Sequence, residues 1–231
     1  EADFIFLLGT NPRFEATILN ARIRKAYLQN KTKIISLNEL GDLTFPYQSL
    51  DGNTETVKKI IEGKHEVSNL IKQAKTPMVI MGQSILKSKS SKYIFESIKQ
   101  FLKENNKLSN DWNALNIISE NASTVGAFDL GIYKTSNGDN EVLKDLEAHK
   151  FEIVYLLGLD NINFKKKNEF IIYQGSHGDK GAEIADIILP GATYTEQNGY
   201  FTNLEGKLQK AYKASYPPEL AKEDWVIINE L

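Results

Sequence analysis

The sequence predicts an α/β fold with a doubly wound, mainly parallel sheet. Short apolar runs alternate with helical segments along the whole chain, and several of these runs end at a glycine. A run that is apolar at every position is typical of a strand buried on both faces, as strands are in a parallel sheet. Helices between such strands cover the faces of the sheet, and ligands in this fold class bind at the carboxyl ends of the strands.

Apolar spacing defines the elements of the first half. The run Phe4–Leu8 ends at Gly9 and predicts the first strand, and Pro12 suits the first turn of the helix that follows. Apolar residues at three- and four-residue spacing extend this helix to Tyr27. The same reasoning predicts strands at Lys33–Leu37, Pro77–Gly82 and Leu115–Ser119, helices at Thr56–Gly63, at His65–Lys75 and around Ile94–Leu102, and a loop over 39–56.

The second half repeats the pattern with weaker signals. Thr124–Asn140 has three glycines and little periodicity, so we predict a loop there, and Thr193–Tyr212 is polar and loop-rich. The other predictions are a short helix at Glu141–Lys150, strands at Phe151–Leu157, Glu169–Tyr173 and Ala185–Leu189, and a helix that begins at Glu223. Leu-Leu-Gly turns at Gly9 and Gly158 suggest two βα halves, about 1–140 and 141–231.

Composition excludes several classes of protein and site. The 231 residues are 41% hydrophobic, which is too much for a disordered chain, and a net charge of −2 gives no general basic field for nucleic acid. The absence of cysteine excludes disulfides, thiolate zinc sites and cysteine-bound iron–sulphur clusters held by this chain alone. No apolar run reaches the roughly 18 residues that a membrane helix needs.

The segment Gly175–Gly181 is the strongest local candidate for a binding site. Its three glycines at three-residue spacing let backbone N–H groups approach an anion, and Lys180 adds positive charge. The spacing is neither that of a dinucleotide-binding turn nor that of a P-loop. A tight turn between two strands explains the glycines without any ligand, and we favour that interpretation, in which His177 is an ordinary turn residue.

The turn Gly9–Arg13 is a second candidate, because it joins a strand to the N-terminus of a helix. Such a turn can hold a phosphate or a carboxylate, with Arg13 as a two-pronged donor. Helix capping by Thr10 or Asn11 explains the same residues without a ligand. From the sequence alone both interpretations stay open.

The remaining histidines and aromatic residues have simpler interpretations. The three histidines show no metal-ligand spacing, and His65 and His149 are predicted to be exposed helix residues. Tyr194, Tyr200 and Phe201 either stack on a ligand ring or pin a long loop to the core, and the second role is the commoner one.

Three segments together carry a resemblance to a known family: Leu8–Lys25, Thr124–Gly131 and Gln174–Gln209. Their order and spacing resemble the C-terminal, molybdopterin-oxidoreductase-like region of the large iron–sulphur subunit of respiratory complex I. The last segment is the most specific, since it contains Ala-Asp-Ile-Ile-Leu-Pro-Gly-Ala-Thr followed by Asn-Leu-Glu-Gly-Lys-Leu-Gln.

The resemblance implies a fold like that of formate dehydrogenase and DMSO reductase. It implies an accessory domain in the peripheral arm of complex I that supports electron transfer from NADH to ubiquinone without a redox centre of its own. The expected partners are other peripheral-arm subunits and a cluster-bearing N-terminal part of the same subunit. No nucleic acid and no direct membrane span are expected, and the implied location is the matrix side of the mitochondrial inner membrane.

Two other functions stay open besides that of a complex I accessory domain. In these alternatives, the chain is either a fragment of an active molybdopterin-dependent oxidoreductase or a free-standing nucleotide-binding protein. The chain begins at Glu1 rather than at Met, so we expect a split, processed or partial subunit that lacks the N-terminal iron–sulphur part. Only three of the 28 basic residues are arginine, and all three lie in one predicted helix. We therefore expect Arg13, Arg22 and Arg24 to line a vestigial cleft or an intersubunit face.

By resemblance, no catalytic residue, metal site or cofactor is expected, and the former pterin cleft is vestigial. Lys207 stands where the family usually has arginine, and lysine cannot make the two-pronged contact with a phosphate. The candidate residues of this cleft are Gly9, Asn11, Arg13, Gly175, His177, Gly178, Asp179, Asn203, Glu205 and Gln209.

Overall fold

The structure, a computed structural model, describes residues 1–119, 121–132 and 141–231. The chain divides into two units, Glu1–Asn121 (unit 1) and Ala122–Leu231 (unit 2). The prediction of two βα halves put their boundary near residue 140. The part of the predicted loop over 133–140 lies outside the described residues.

Unit 1 is built on a five-stranded sheet in which every pair of neighbouring strands is parallel, as predicted. The sheet order is β3-β2-β1-β4-β5, so the strand order reverses direction at β1. In folds of this kind the carboxyl ends of the strands on either side of that reversal form the usual ligand crevice. The strands are β1 (Phe4–Leu8), β2 (Lys33–Ser36), β3 (Gln48–Ser49), β4 (Pro77–Met81) and β5 (Leu115–Ile117).

In the described part of unit 1, six helices accompany this sheet, and the residues of β1 alternate between two apolar clusters. Phe4, Phe6 and Leu8 belong to one cluster, and Ile5 and Leu7 belong to the other. The first cluster receives α3, α4 and α6, and the second receives α2, so the sheet is covered on both faces. The helices are α1 (Pro12–Glu15), α2 (Thr17–Asn30), α3 (Thr54–Ile61), α4 (Glu66–Gln73), α5 (Gln83–Leu86) and α6 (Ser91–Glu104).

Two predictions in unit 1 were wrong in detail. The helix expected from Pro12 to Tyr27 is interrupted at Ala16, whose extended φ of −154° separates α1 from α2. The segment 39–56 is not all loop, because it contains β3 and the start of α3. Asn53 caps α3 by accepting from the backbone N–H of Thr56 at 2.8 Å. An asparagine is also common in loops, so in this polar segment it did not indicate the start of a helix.

Unit 2 combines a parallel sheet with an antiparallel hairpin. The sheet order is β6-β7-β8, and β9 pairs with β10. The elements are α7 (Thr124–Leu130), α8 (Glu141–Glu147), β6 (Ile153–Leu157), β7 (Phe170–Gly175), α9 (Lys180–Glu183), β8 (Ile187–Pro190), β9 (Gly199–Thr202), β10 (Leu208–Ala211) and α10 (Asp224–Glu230).

Two loop predictions in unit 2 were wrong. Thr124–Leu130 is helical, and Gly131 ends the helix with a left-handed φ of +67°, so the glycine is a C-terminal cap rather than a loop residue. Thr193–Tyr212 contains the β9–β10 hairpin. Its strands are short and partly polar, so they lack the continuous apolar run by which the other strands were predicted.

The β6-β7-β8 sheet has an apolar cluster buried on one face. Leu156, Ile171 and Tyr173 form the buried cluster on that face. On β6, Ile153 and Leu157 alternate with Leu156 and remain 65% and 50% exposed. In the part of the chain that the structure describes, no helix is long and apolar enough to cross a membrane.

Candidate functional site

The carboxyl ends of β1 and β4 approach each other closely at two glycines. Gly9 has a φ of +65°, and a Cβ built there would lie 2.6 Å from Oγ of Ser84. A Cβ on Gly82 would lie 2.7 Å from Cα of Thr10. Ser84 donates to the Gly9 carbonyl at 2.7 Å. Gly9 therefore serves the packing of two strand ends and the turn itself, which requires no ligand.

The N-terminus of α1 is satisfied by groups of the chain itself. Asn11 Oδ1 accepts from the backbone N–H of Arg13 at 3.1 Å. Glu15 accepts from the Asn11 backbone N–H at 2.8 Å through one oxygen and from the Thr10 hydroxyl at 3.0 Å through the other. The Glu15 carboxylate thus lies where an external anion would bind. Of the two interpretations left open by the sequence, the geometry supports helix capping.

Arg13 is engaged with the loop that follows β2. Its guanidinium forms an ion pair with Oδ2 of Asp42 at 2.7 Å and also donates to the Asp42 carbonyl. The pKa of Asp42 is lowered, mainly by the backbone N–H of Thr44 and then by Arg13. Asn11 adds a bond from its amide N–H to the Leu40 carbonyl at 3.1 Å. Arg13 and Asn11 together hold the loop 39–44 against the start of α1.

Arg22 and Arg24 lie on α2, and both are exposed. Arg24 lies near enough to Asp42 to contribute to the lowered pKa of that carboxyl group. The expectation that this helix lines a cleft or an intersubunit face stays a prediction.

The glycine-rich segment of unit 2 is organised by a residue that the sequence analysis did not single out, Tyr173. Its ring is 1% exposed, and a Cβ on either Gly175 or Gly181 would lie 3.0 Å from ring carbons of Tyr173. The Tyr173 hydroxyl bonds to the Asp160 carboxylate and lies 2.6 Å from the His177 carbonyl. The glycine spacing therefore accommodates a buried aromatic ring, with α9 completing the connection between β7 and β8.

The environment of Tyr173 keeps its hydroxyl neutral. Burial, followed by the hydrogen bond and negative charge of Asp160 and the charge of Asp179, raises the pKa of Tyr173 to about 12. A sequence signal was available, because a tyrosine inside an apolar strand must find a partner for its hydroxyl when it is buried.

Three further candidates of this segment are exposed: His177, Gly178 and Asp179. His177 Nδ1 lies 2.9 Å from the Ser176 hydroxyl. A Cβ on Gly178 would meet open space, so no close approach requires a glycine there. The Asp179 carbonyl accepts from Ala182 and Glu183 at the start of α9. These residues form the surface of a turn, in agreement with the interpretation favoured from the sequence.

The β9–β10 hairpin contains the last three candidates, Asn203, Glu205 and Gln209. Asn203 Oδ1 accepts from the backbone N–H groups of Glu205 and Lys207, both at 2.9 Å, and Gly206 has a left-handed φ of +77°. Asn203 is therefore the organiser of the turn. Gln209 is exposed and lies opposite Phe201 in the ladder.

The tyrosines near the hairpin do not have the role that the sequence favoured. Tyr194 and Tyr200 are exposed, so they do not pin the loop to the core.

A buried glutamine connects three elements of unit 2. Gln174 is completely buried, donates to Oδ1 of Asp224 at 2.8 Å and accepts from the Tyr155 hydroxyl. Gln197 donates to the other oxygen of Asp224 at 3.3 Å. This network ties β7 to α10 and to the segment before β9. Sequence analysis missed it because the partners lie up to 50 residues apart.

A second missed pair joins the end of α8 to the start of β7. His149 was predicted to be an exposed helix residue, which is wrong: its Nδ1 lies 2.6 Å from Oε1 of the buried Glu169. The pKa of Glu169 is lowered, first by the backbone N–H of Lys167 and also by His149.

The other histidine predicted to be exposed, His65, is half-buried. It caps α4 by accepting from the Val67 N–H at 3.2 Å. In the described ranges, no cluster of three or more acidic or histidine side chains could hold a metal ion.

The described candidate residues do not fit a phosphate-bearing pterin. Glu15 places a negative charge at the α1 N-terminus, and Arg13 already pairs with Asp42. In unit 2 the backbone N–H groups of Glu205 and Lys207 already donate to the Asn203 side-chain oxygen. A phosphate in either place would have to displace a bond that the chain makes to itself.

Comparisons with known proteins agree on one family. A family model described as molybdopterin oxidoreductase matches residues 1–231. The chain is 40% identical over 233 residues to the NADH-ubiquinone oxidoreductase 75 kDa subunit of Reclinomonas americana, covering all of this chain and 33% of that protein. It is 41% identical over 234 residues to the mitochondrial NADH-ubiquinone oxidoreductase 78 kDa subunit of Candida albicans, covering all of this chain and 31% of that protein.

A plant relative gives the same result. The chain is 35% identical over 233 residues to the mitochondrial NADH dehydrogenase (ubiquinone) iron-sulfur protein 1 of Solanum tuberosum, covering all of this chain and 30% of that protein. The chain thus spans about a third of the length of the curated relatives it matches.

Proposed function

The chain belongs to the molybdopterin oxidoreductase family, and on that premise we propose that it is an accessory domain of respiratory complex I. In this role it lies in the peripheral arm and supports electron transfer from NADH to ubiquinone without a redox centre of its own. The observation that carries the proposal is the similarity, over the whole chain, to subunits named for NADH-ubiquinone oxidoreductase.

The candidate cleft supports the part of the proposal that concerns the cofactor. Glu15 and Arg13 make their main polar contacts within the chain, and these contacts leave the N-terminus of α1 without a ready anion site. No cysteine is present to ligate a molybdenum ion or an iron–sulphur cluster. In this proposal the domain contributes rigid surfaces, and its glycine turns are features of packing.

The proposed partners are the other subunits of the peripheral arm. They include a cluster-bearing N-terminal part of the same subunit, because each matched relative has about twice as much further sequence as this chain covers, and the potato relative is named an iron-sulfur protein. The proposed location is the matrix side of the mitochondrial inner membrane. It is supported by the word mitochondrial in the names of the fungal and plant relatives.

The test is the native assembly of the tagged chain, isolated from detergent-solubilised membranes of its source. We expect it to migrate with a large complex that oxidises NADH and contains iron–sulphur subunits. The matched control is the tag alone, expressed at the same level. Recovery of the chain as a small species that carries a pterin would contradict the proposal and would favour an active molybdopterin-dependent enzyme.

A further inference from the structure

The β9–β10 hairpin presents a surface that combines tyrosines, a leucine and lysines. We call the set Tyr200, Lys207, Leu208, Lys210 and Tyr212 the hairpin surface. Tyr200, Leu208 and Tyr212 are 66%, 63% and 73% exposed, and these are high exposed fractions for large apolar or aromatic side chains. In the antiparallel ladder Tyr200 lies directly opposite Lys210, so both side chains project from the same face of the hairpin.

Lys210 is held between two of these rings. Its Nζ lies 4.7 Å from the centroid of the Tyr212 ring and 5.8 Å from that of Tyr200. Lys213 makes the same kind of contact with Tyr216 at 4.8 Å. Among the described residues, no carboxylate lies within 4.0 Å of Lys207 or Lys210. The Lys210 ammonium group is therefore positioned by two aromatic rings, and both ammonium groups are still available to an acidic group from outside.

The net charge of the hairpin differs in sign from that of unit 2 as a whole. Residues 199–216 contain three lysines and one glutamate, whereas the whole of unit 2 contains 11 lysines and 17 acidic residues. The net charge of unit 2 is negative, so it opposes the approach of a long polyanion such as a nucleic acid or an anionic membrane. A short acidic stretch that meets only the hairpin would not be repelled.

We propose that the hairpin surface binds an acidic segment of a neighbouring protein subunit. Carboxylates of that segment pair with Lys207 and Lys210, and its apolar side chains cover Tyr200, Leu208 and Tyr212. Tyrosine is enriched at protein interfaces because it buries a large apolar area at little cost in conformational entropy. The inference rests on the proposed function, since it assigns the partner to the same assembly.

The experiment compares the wild-type chain with the K207E/K210E variant in native membranes of the source, each tagged and expressed at equal level. We expect the fraction of the variant that migrates with the large complex to fall about tenfold, because both charge pairs become repulsive. The matched control is K92E/K99E, which makes the same change of charge at two exposed lysines of α6. We expect the control to assemble as the wild type does. A Y212A variant with both lysines intact should lose assembly severalfold, since it removes the apolar part of the surface.

The outcomes separate the two proposals. If the wild-type chain does not migrate with the complex, the proposed function fails and the inference fails with it. If the wild-type chain assembles and K207E/K210E assembles equally well, only the inference is overturned. Circular dichroism of the purified variants checks that folding is intact, and K207Q/K210Q, which removes charge without reversing it, should show an intermediate loss.

Polyanion binding provides the remaining arm of the test. The purified wild-type chain is titrated against a single-stranded oligonucleotide and against phosphatidylserine vesicles. Binding that K207E/K210E abolishes would overturn the inference in favour of a polyanion. We expect neither probe to bind at physiological salt.

Discussion

In the described residues, the first strands of the two parallel sheets have the same apolar pattern but different surroundings. Phe4–Leu8 and Ile153–Leu157 are both continuous apolar runs that are followed by a glycine. Every residue of β1 is buried, whereas on β6 only Leu156 is. An apolar run therefore predicts a strand of a parallel sheet, but the number of faces that are covered depends on the topology.

Strand order explains the difference. Crossovers between parallel strands are right-handed, so successive steps in one direction put their connections on the same face. In unit 1 the order reverses at β1, and helices cover both faces. In unit 2 the order β6-β7-β8 does not reverse, and both connections contribute to the one buried cluster, through Phe164 and Ile184 among others. The second face receives neither connection, and its buried residue Gln174 is instead bonded to Asp224 of α10.

The largest expected effect tests the burial of the first sheet. Phe6→Ala empties a fully buried position on β1 and should lower the free energy of unfolding by about 3–5 kcal/mol. Leu157→Ala, at a half-exposed position of β6, should lower it by less than about 1 kcal/mol. Urea unfolding measures both. Equal losses would break the comparison between the sheets.

The second test uses the two equivalent glycines. Gly9 and Gly158 both have a left-handed φ, of +65° and +59°, but only Gly9 is packed against neighbouring atoms. Gly158→Ala should therefore cost only the backbone strain, about 1–2 kcal/mol. Gly9→Ala adds a clash with Ser84 and Ile85 and should cost about 2–4 kcal/mol. Thermal unfolding of the two variants shows whether the order holds; a larger loss for Gly158→Ala would refute it.

The third test concerns the buried tyrosine of unit 2. Because the folded state raises the pKa of Tyr173 from its usual 10.0 to about 12, its contribution to stability is complete below pH 10 and is lost as the pH rises from there to about 12. Tyr173→Phe should be less stable than the wild type near neutral pH, since Asp160 loses its partner. The variant should also lose less stability over that alkaline window. Alkaline difference spectra of tyrosinate and unfolding curves at several pH values provide the measurements, and an ordinary titration of Tyr173 would contradict the account.

The smallest expected effect sharpens the description of the open face. Ile153→Lys places a charge at a position that is largely exposed, so the free energy of unfolding should change by no more than about 0.5 kcal/mol. Leu156→Lys, the adjacent buried position, is the control and should prevent folding of unit 2. Circular dichroism and urea unfolding distinguish the two. Unfolding of Ile153→Lys would mean that the Ile153 side chain is covered after all.

Much of the fold was predictable from local patterns, because the signals of a parallel sheet are local. The predicted strand Phe4–Leu8 matches β1, and the predicted strand Pro77–Gly82 matches β4 to within one residue, for this reason. The β9–β10 hairpin was not, because its strands are short and half polar, and α7 was hidden by glycines that cap or pack rather than break it. The break between α1 and α2 depends on the backbone conformation of Ala16, and the spacing of apolar residues does not predict such a break.

The candidate site was predictable only as a set of turns. Gly9, Gly175 and Asn203 were recognised, but the partners that decide their roles, Ser84, Tyr173 and the Lys207 N–H, come from the folded chain. The pair of His149 and Glu169 shows the same limit, because helix periodicity predicts exposure and gives no information about a strand 20 residues further on.

The most direct test of the central claim is the cofactor content of the native assembly that contains this chain. The assembly is isolated through a tag on the chain, and its molybdenum, pterin, iron and sulphide are measured per mole of chain. The account predicts iron and sulphide contributed by other parts of the assembly, and no stoichiometric molybdenum or pterin. Stoichiometric pterin that remains with the chain after its partners are removed would contradict the claim that this domain supports electron transfer without a redox centre of its own.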